Sequence, residues 1–418
     1  MAFGILDDNK LNSIPGTSLL SAKGSYLTTE KAGELKCGTG KYSHVILIPQ
    51  PSSDDPRDPL NWPQWKKEAC FWTLVFTTGL ADALFHLAAS GYFRLAKEFK
   101  VSVDQVASAF GTTLPGAAAF LLVQTPITIK YGLRIVYLLT TFLMLISSVW
   151  TALSPNLVSI RGSRVFQGFG QAASKCLVTT TIEHLYFVHE RGSRSCMWNV
   201  FQIAGSLLAT LINGYVIEDL SWRLGFWFFG IACALAFIAV LFFVPETTYH
   251  RHPSSNGSKS AGTNLGQKTS QAPTGNLCHV DPSASASSPP SFFSQLKIYN
   301  GTFSDGSVWW IFLRPFPFIL SPVTWFLFLS YLIPSSFTAL VSVCSSTIFS
   351  VTYGFTPSQI GLTSIGSITV VLLAMAATGP LNDWWVVWIS RRNRGIYEPE
   401  FRLVFMLGML FGVFGFVG

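Results

Sequence analysis

WRLGFWFFGIACALAFIAVLFFV, residues 222–244, carries one charged side chain, Arg223, near its start and is apolar on every side after it. A helix that is apolar all round has no face to give to water, so it sits in a membrane or in a large core. About 20 such residues cross the hydrocarbon of a bilayer. A membrane-barrel strand would instead alternate polar and apolar residues over about ten positions, and this stretch does not alternate.

Outward from it, comparable runs cover Ala69–Phe93, Gln105–Ile129, Ile135–Leu153, Leu157–Ile182, Ser195–Ile217, Ser321–Phe349 and Gln359–Pro380. With Trp222–Val244 these predict eight full spans, and a ninth run, Leu403–Gly418, stops short of a full crossing. Charged residues are only 12% of the 418-residue chain and aromatics 14%. A soluble domain runs near a quarter charged. The fold class is therefore an all-α polytopic membrane protein, in contact with the lipid bilayer.

The formal charge is +7. Nucleic-acid binding would need a basic face with stacking aromatics, whereas here Lys and Arg sit between apolar runs. Short-loop charge instead orients a membrane protein, with the basic side cytosolic. With a cytosolic N-terminus, Arg57, Lys66, Lys67, Lys130, Arg134, Arg191, Arg194, Arg391, Arg392, Arg394 and Arg402 lie inside. Arg94, Lys97, Lys100 and Arg223 lie outside, so the division is eleven to four in favour of this orientation. The seven cysteines form no CxxC pair, and no metal or cofactor is expected. An enzyme is not expected either: no clustered histidines, paired acidic motif or nucleophile elbow stands in the chain.

Residues 253–290 are rich in Ser, Gly, Ala and Pro, with almost no bulky apolar side chain. Such a stretch cannot bury enough surface to offset its ordering entropy. The expected organisation is a polar cytosolic tail over 1–67, a six-helix bundle over 68–245 and a cytosolic linker over 246–313. A partial second bundle, two full helices and part of a third, follows over 314–418.

Ionisable groups inside a membrane are costly, about 2.5–3.5 kcal/mol on insertion scales, and so are functional candidates. Asp82 and His86 lie mid-span four residues apart, on one helical face. The pair could bind and release a proton, or be a structural pair between helices. Arg164 and Lys175 are eleven residues apart on another span, about three turns and so on roughly one face. Either could meet Asp82, with Lys175 the weaker candidate. Gln124, Gln171, Asn199, Gln202 and Asn213 could line a central cavity, although such amides more often bridge helices. Pro115 and Pro334 each remove a backbone donor and invite a kink.

Several strings are more specific. Asp58-Pro59-Leu60-Asn61-Trp62-Pro63-Gln64-Trp65-Lys66-Lys67 precedes the first span. Arg164-Val165-Phe166-Gln167-Gly168-Phe169-Gly170 stands in the fourth, followed by the loop from Glu183 to His189-Glu190-Arg191-Gly192. Pro245-Glu246-Thr247 closes the sixth span. Gly379-Pro380-Leu381-Asn382-Asp383 leads on to Glu398-Pro399-Glu400-Phe401-Arg402-Leu403. Together they resemble the major facilitator superfamily, and within it the fungal drug and metabolite transporters, from about Asp54 onward apart from the linker.

The resemblance implies a proton-coupled secondary transporter, a monomer in the plasma membrane, that exports small organic molecules. Arg164 would share in proton coupling with Asp82 and His86. Lys130, Arg134, Glu183, Arg191, Asp383, Arg391 and Arg392 would form a cytosolic charge gate. Three departures stand against it. Lys130-Tyr131-Gly132-Leu133-Arg134 lacks the family's acidic residue. Ala209-Thr210-Leu211-Ile212-Asn213-Gly214 replaces the Gly-Pro pair of antiporters. The chain also stops inside its ninth run, where the family has 12 or 14 helices. Nutrient uptake, and a truncated product that does not transport, remain open alternatives.

Overall fold

The computed structural model describes residues 18–19, 47–49, 51–52, 55–249, 296–299, 301–304, 306–392, 396–397 and 399–408. Most of the expected tail, all of the 253–290 stretch and the last run beyond Gly408 lie outside the described residues. So do Arg394 and the side chain of Arg391.

The first span is α1, Gln64–His86, a 3-10 turn at Ala89–Gly91, and α2, Tyr92–Phe99. The string before it is a folded cap. Asp58 accepts from Leu60 N at 3.0 Å, Lys67 Nζ donates to Leu60 O at 2.9 Å, and Lys66 lies over the Trp62 ring at 3.8 Å. The second span is α3, Val103–Gly111, and α4, Thr113–Tyr131, with the break just ahead of Pro115. Then come α5, Leu133–Leu153, α6, Leu157–Leu185, and α7, Val188–Tyr215, which ends in a π turn at Val216–Leu220. Asn156 caps α6 by accepting from Ser159 N at 2.9 Å, the usual role of Asn at a helix start. The opening stretch forms α8, Trp222–Phe243. It buries only a narrow stripe, including Gly225, Phe226, Gly230, Cys233 and Val240, and turns Phe228, Ile231, Leu235 and Ile238 outward.

After residue 296 the described helices are α9, Val308–Leu313, a 3-10 segment at Phe316–Leu320, α10, Pro322–Val351, α11, Pro357–Leu362, and α12, Ser364–Arg392. Pro334 lies inside α10 and Pro380 inside α12. The helix therefore runs on to Arg392, past the expected end of the span at Pro380. A proline inside a membrane helix is tolerated where neighbours satisfy the freed carbonyl.

Among the described residues six helices, counting bent pieces together, are long and apolar enough to cross a membrane, and Val308–Leu320 with Pro322–Thr338 makes a seventh if taken as one span. The expected fourth span, α6, is present with 29 residues but is not one of these. Its polarity faces inward: Ser163, Arg164, Gln167, Gln171, Ser174 and Thr181 are all buried.

Packing of the first six spans relies on small residues. A Cβ on Gly168 would stand 2.2 Å from Thr113 O, and one on Gly205 2.2 Å from Gly79 O. These glycines let α6 meet α4, and α7 meet α1, backbone to backbone. Buried hydroxyls on α5 return to their own helix, Thr141 to Tyr137 O and Thr151 to Ser147 O, both at 2.8 Å. Two apolar clusters result. One surrounds Leu84, Phe110, Met144 and Phe226, and the other Phe71, Tyr137, Ile182 and Trp198.

The helices after residue 296 meet the first set mainly along α7. Gly192 fits against Asp383 on α12, and Gly361 on α11 packs on the carbonyls of Thr210 and Leu211.

Candidate functional site

Asp82 and Lys175 form the charged centre of the bundle. Asp82 is buried on α1, and its Oδ1 lies 3.0 Å from Lys175 Nζ on α6. The two side chains are unequal: Lys175 is 32% exposed and Asp82 8%. The ammonium therefore opens to space that the carboxylate does not reach. His86 shares the face of Asp82, but its Nδ1 lies 3.2 Å from the Asp82 carbonyl rather than on the carboxylate. Of the two basic candidates on α6, the one weighted less from sequence holds Asp82.

Arg164 is fully buried and makes no salt bridge among the described residues. Its Nη1 donates to Leu84 O at 3.0 Å and to Gln167 Oε1 at 2.6 Å. The guanidinium lies between two rings, 4.2 Å from the Phe110 centroid and 4.8 Å from that of Phe226. Such cation–π contacts are strongest where water is excluded. Nε and Nη2 have no hydrogen-bond partner, nor does Gln167 Nε2. The RxxQGxG string therefore does two jobs: Arg164 and Gln167 form one polar unit, and Gly168 and Gly170 admit α4 and α5.

The amides divide by burial. Gln171 donates to Ala81 O, Asn213 to Leu87 O and Gln124 to Ala172 O at 3.4 Å, so all three bridge helices. Asn199 is exposed and bonds its own helix at Ser195 O, 2.9 Å away, and Gln202 is half-buried on the same helix. A shallow apolar groove of about 360 Å³ lies between α1 and α8, lined by Ala69, Trp72, Phe76, Ala236 and Phe243 among others. Neither Asp82 nor any other ionisable group lines it, so it is not the chemical centre.

At the other end, the expected charge gate resolves into three units. Arg134 sends Nη1 to Val244 O and Nη2 to Leu241 O at 2.8 Å and Leu296 O at 3.1 Å. Glu246 in return accepts from Leu133 N at 3.0 Å and Arg134 N at 3.2 Å. The arginine satisfies the free carbonyls ending α8, and the glutamate caps the start of α5. The acid missing beside Lys130 is thus supplied from Pro245-Glu246-Thr247. Lys130 itself lies 6.0 Å from the Tyr131 ring.

The second unit is Asp383, whose Oδ2 accepts from Ser193 N at 2.9 Å and from Ser193 Oγ. This ties α12 to α7. Arg402 Nη2 donates to Val188 O at 3.1 Å, and Arg392 lies over Trp388 at 4.2 Å. In the third unit Arg191 Nη2 donates to the Glu183 backbone carbonyl at 2.9 Å. Sequence reasoning missed two carboxylate–arginine pairs: Arg223 Nη1 with Glu98 Oε1 at 2.9 Å, where α2 meets α8, and, here, Glu68 with Arg194. The latter is two-pronged, at 2.9 and 2.5 Å, and Arg194 also lies over Tyr186 at 4.6 Å. The positions of Glu68 and Arg194, each one residue ahead of the expected first and fifth spans, were the available signal.

Helices of this length and packing define an integral multi-pass membrane protein. The Major Facilitator Superfamily profile matches residues 71–418, and the chain belongs to that family. It is 29% identical over 58% of its length to an uncharacterized MFS-type transporter of Schizosaccharomyces pombe, covering 41% of that protein. It is 24% identical over 87% of its length to Protein HOL1 of Saccharomyces cerevisiae, covering 71%. It is 25% identical over 84% of its length to Efflux pump radE of Floropilus chiversii, covering 61%. The chain thus spans between two-fifths and seven-tenths of the length of these relatives.

Proposed function

We propose that this protein is a proton-coupled secondary transporter that exports small organic molecules, such as a drug or a secondary metabolite. The observation that carries this is the Asp82–Lys175 pair, buried across α1 and α6 with only the ammonium partly open. A buried carboxylate beside one lysine has two states to exchange between: ion-paired with no net charge, or protonated, with the extra positive charge carried by an ammonium released to water or to an anionic group of the substrate. Exchange between them couples a proton to the release of Lys175, and a transporter can use that to bias which side its cavity faces. The kinship to a protein named an efflux pump supports the outward direction. Arg164, with two buried donors unfilled, is placed to respond when α1 shifts against α6.

In this reading the N-terminus is cytosolic, the protein works as a monomer in the plasma membrane, and residues 1–67, 68–245, 246–313 and 314–418 are tail, bundle, linker and second bundle. The Asp383–Ser193 and Arg134–Glu246 contacts form the cytosolic gate. The test is growth of an efflux-deficient host expressing the protein across a panel of toxic compounds and metabolites. Export predicts resistance to some of them and lower cellular accumulation. Increased sensitivity with higher accumulation would favour uptake instead.

A further inference from the structure

Between the described part of the linker and α10 lies Val308–Leu320, whose geometry sets it apart from the spans. It is bent 85° from the helix that begins at Pro322. The bend has local causes: Ser321 is extended, with φ −81° and ψ 130°, and Pro322 opens the next helix, where its missing N–H costs nothing. As a helix followed by a 3-10 segment it reaches roughly 20–25 Å. That is short of the ~30 Å hydrocarbon core. With α10 taken as the span expected over Ser321–Phe349, a segment at 85° to it runs nearly in the membrane plane.

Its composition suits that position. The sequence VWWIFLRPFPFIL, residues 308–320, has one charged side chain, Arg314, and no acid. Ile311 is buried where α9 packs on α4. Trp309, Trp310, Phe316, Phe318, Ile319 and Leu320 are exposed, Trp310 at 69% and Leu320 at 87%. In water this would be a large apolar patch, which proteins avoid unless something covers it. The depth is fixed by the chain leading into it. Leu296 O accepts from Arg134 Nη2 at 3.1 Å, and Phe303 N donates to Lys130 O at 2.8 Å. The segment therefore starts level with the ends of α4 and α5 that lie on the same side as the start of α1. Trp and Phe favour the boundary between headgroups and acyl chains, and an arginine among them can reach outward to lipid phosphate.

We infer that Val308–Leu320 is an in-plane interfacial segment, seated on the headgroup–acyl boundary of the leaflet on the N-terminal side of α1, with phospholipid as its partner. It anchors the start of α10 at a fixed depth, so that rocking of α10 is made against the bilayer surface. The claim concerns lipid contact and holds whichever direction transport takes.

The test uses the full chain in liposomes made with phospholipids brominated either near the headgroup or near the acyl-chain end. Emission is compared between the native protein and a Trp309→Phe/Trp310→Phe variant, a change that keeps the aromatic bulk. The emission lost in the variant is expected to be quenched about twofold more by shallow bromines than by deep ones. Stronger quenching by deep bromines would mean that the segment crosses the membrane and would overturn the inference. Quenching by aqueous iodide and not by lipid, or by neither because protein covers both rings, would overturn it as well.

Discussion

Asp82 on α1 and Lys175 on α6 form an ion pair with Oδ1 and Nζ 3.0 Å apart, deep among the first six spanning helices. Removing one partner of a buried pair strands the other, at a cost of about 3–5 kcal/mol where both are enclosed. The partial exposure of Lys175 reduces this to roughly 1–2 kcal/mol for Asp82→Asn, because the freed ammonium can hydrate. Lys175→Met strands the more enclosed carboxylate and is expected to cost more. The double variant should recover most of the loss, measured as thermal unfolding in detergent. Additive losses would show that the two residues do not act as a pair.

Arg164 separates stability from function. Its guanidinium is enclosed by Phe110 and Phe226 without an acid among the described residues. Replacing a buried charge by an apolar chain of similar length is often neutral for folding. Arg164→Met is expected to keep the midpoint within about 1–2 kcal/mol of native and to abolish transport. Arg164→Lys should abolish it too, because an ammonium cannot lie flat between two rings while donating to Leu84 O. Retained transport in the lysine variant would count against a geometric role.

The reciprocal cap between Glu246 and Arg134 makes a paired prediction. Glu246→Ala removes both acceptors at the start of α5 and should cost about 1–2 kcal/mol. Arg134→Ala leaves the carbonyls of Leu241 and Val244 unfilled and should cost at least as much. Thermal midpoints of the two single variants and the double variant should show coupling; simple addition would mean that the two caps are independent.

Close helix crossings are tested by a single methyl. Gly205→Ala puts a Cβ 2.2 Å from Gly79 O, a backbone atom that cannot swing away. The expected loss is about 1–3 kcal/mol or more, seen as reduced folded yield. Gly366→Ala, with nothing within 4 Å, is the control and should leave yield unchanged.

Much of this architecture was legible in the chain. The run from Trp222 to Val244 became α8 almost residue for residue, because an all-apolar stretch has one stable place, the lipid-facing rim. Where polarity turns inward, average apolarity alone does not mark a span. On α6 the charges and amides face neighbouring helices, and no average over a window records direction. The partner of Asp82 was not legible either. Arg164 and Lys175 share a face of α6 eleven residues apart, and only the height at which α1 crosses decides between them. The acid absent beside Lys130 arrives from Glu246, 112 residues after Arg134 in the chain. Short-range motif reading sees the gap and cannot see what fills it. The bend before Pro322 follows from extended Ser321 and from Pro322 itself, and α9 packs on α4 beyond it.

The central claim is that protonation at Asp82 is tied to movement of substrate. It is tested most directly in vesicles holding the protein, with a substrate from the resistance panel and an imposed pH gradient. Native protein should drive substrate against its gradient while protons move the opposite way, and Asp82→Asn should insert normally yet lose the gradient-driven component. Undiminished pH-driven flux in Asp82→Asn, with Lys175 still in place, would contradict the account.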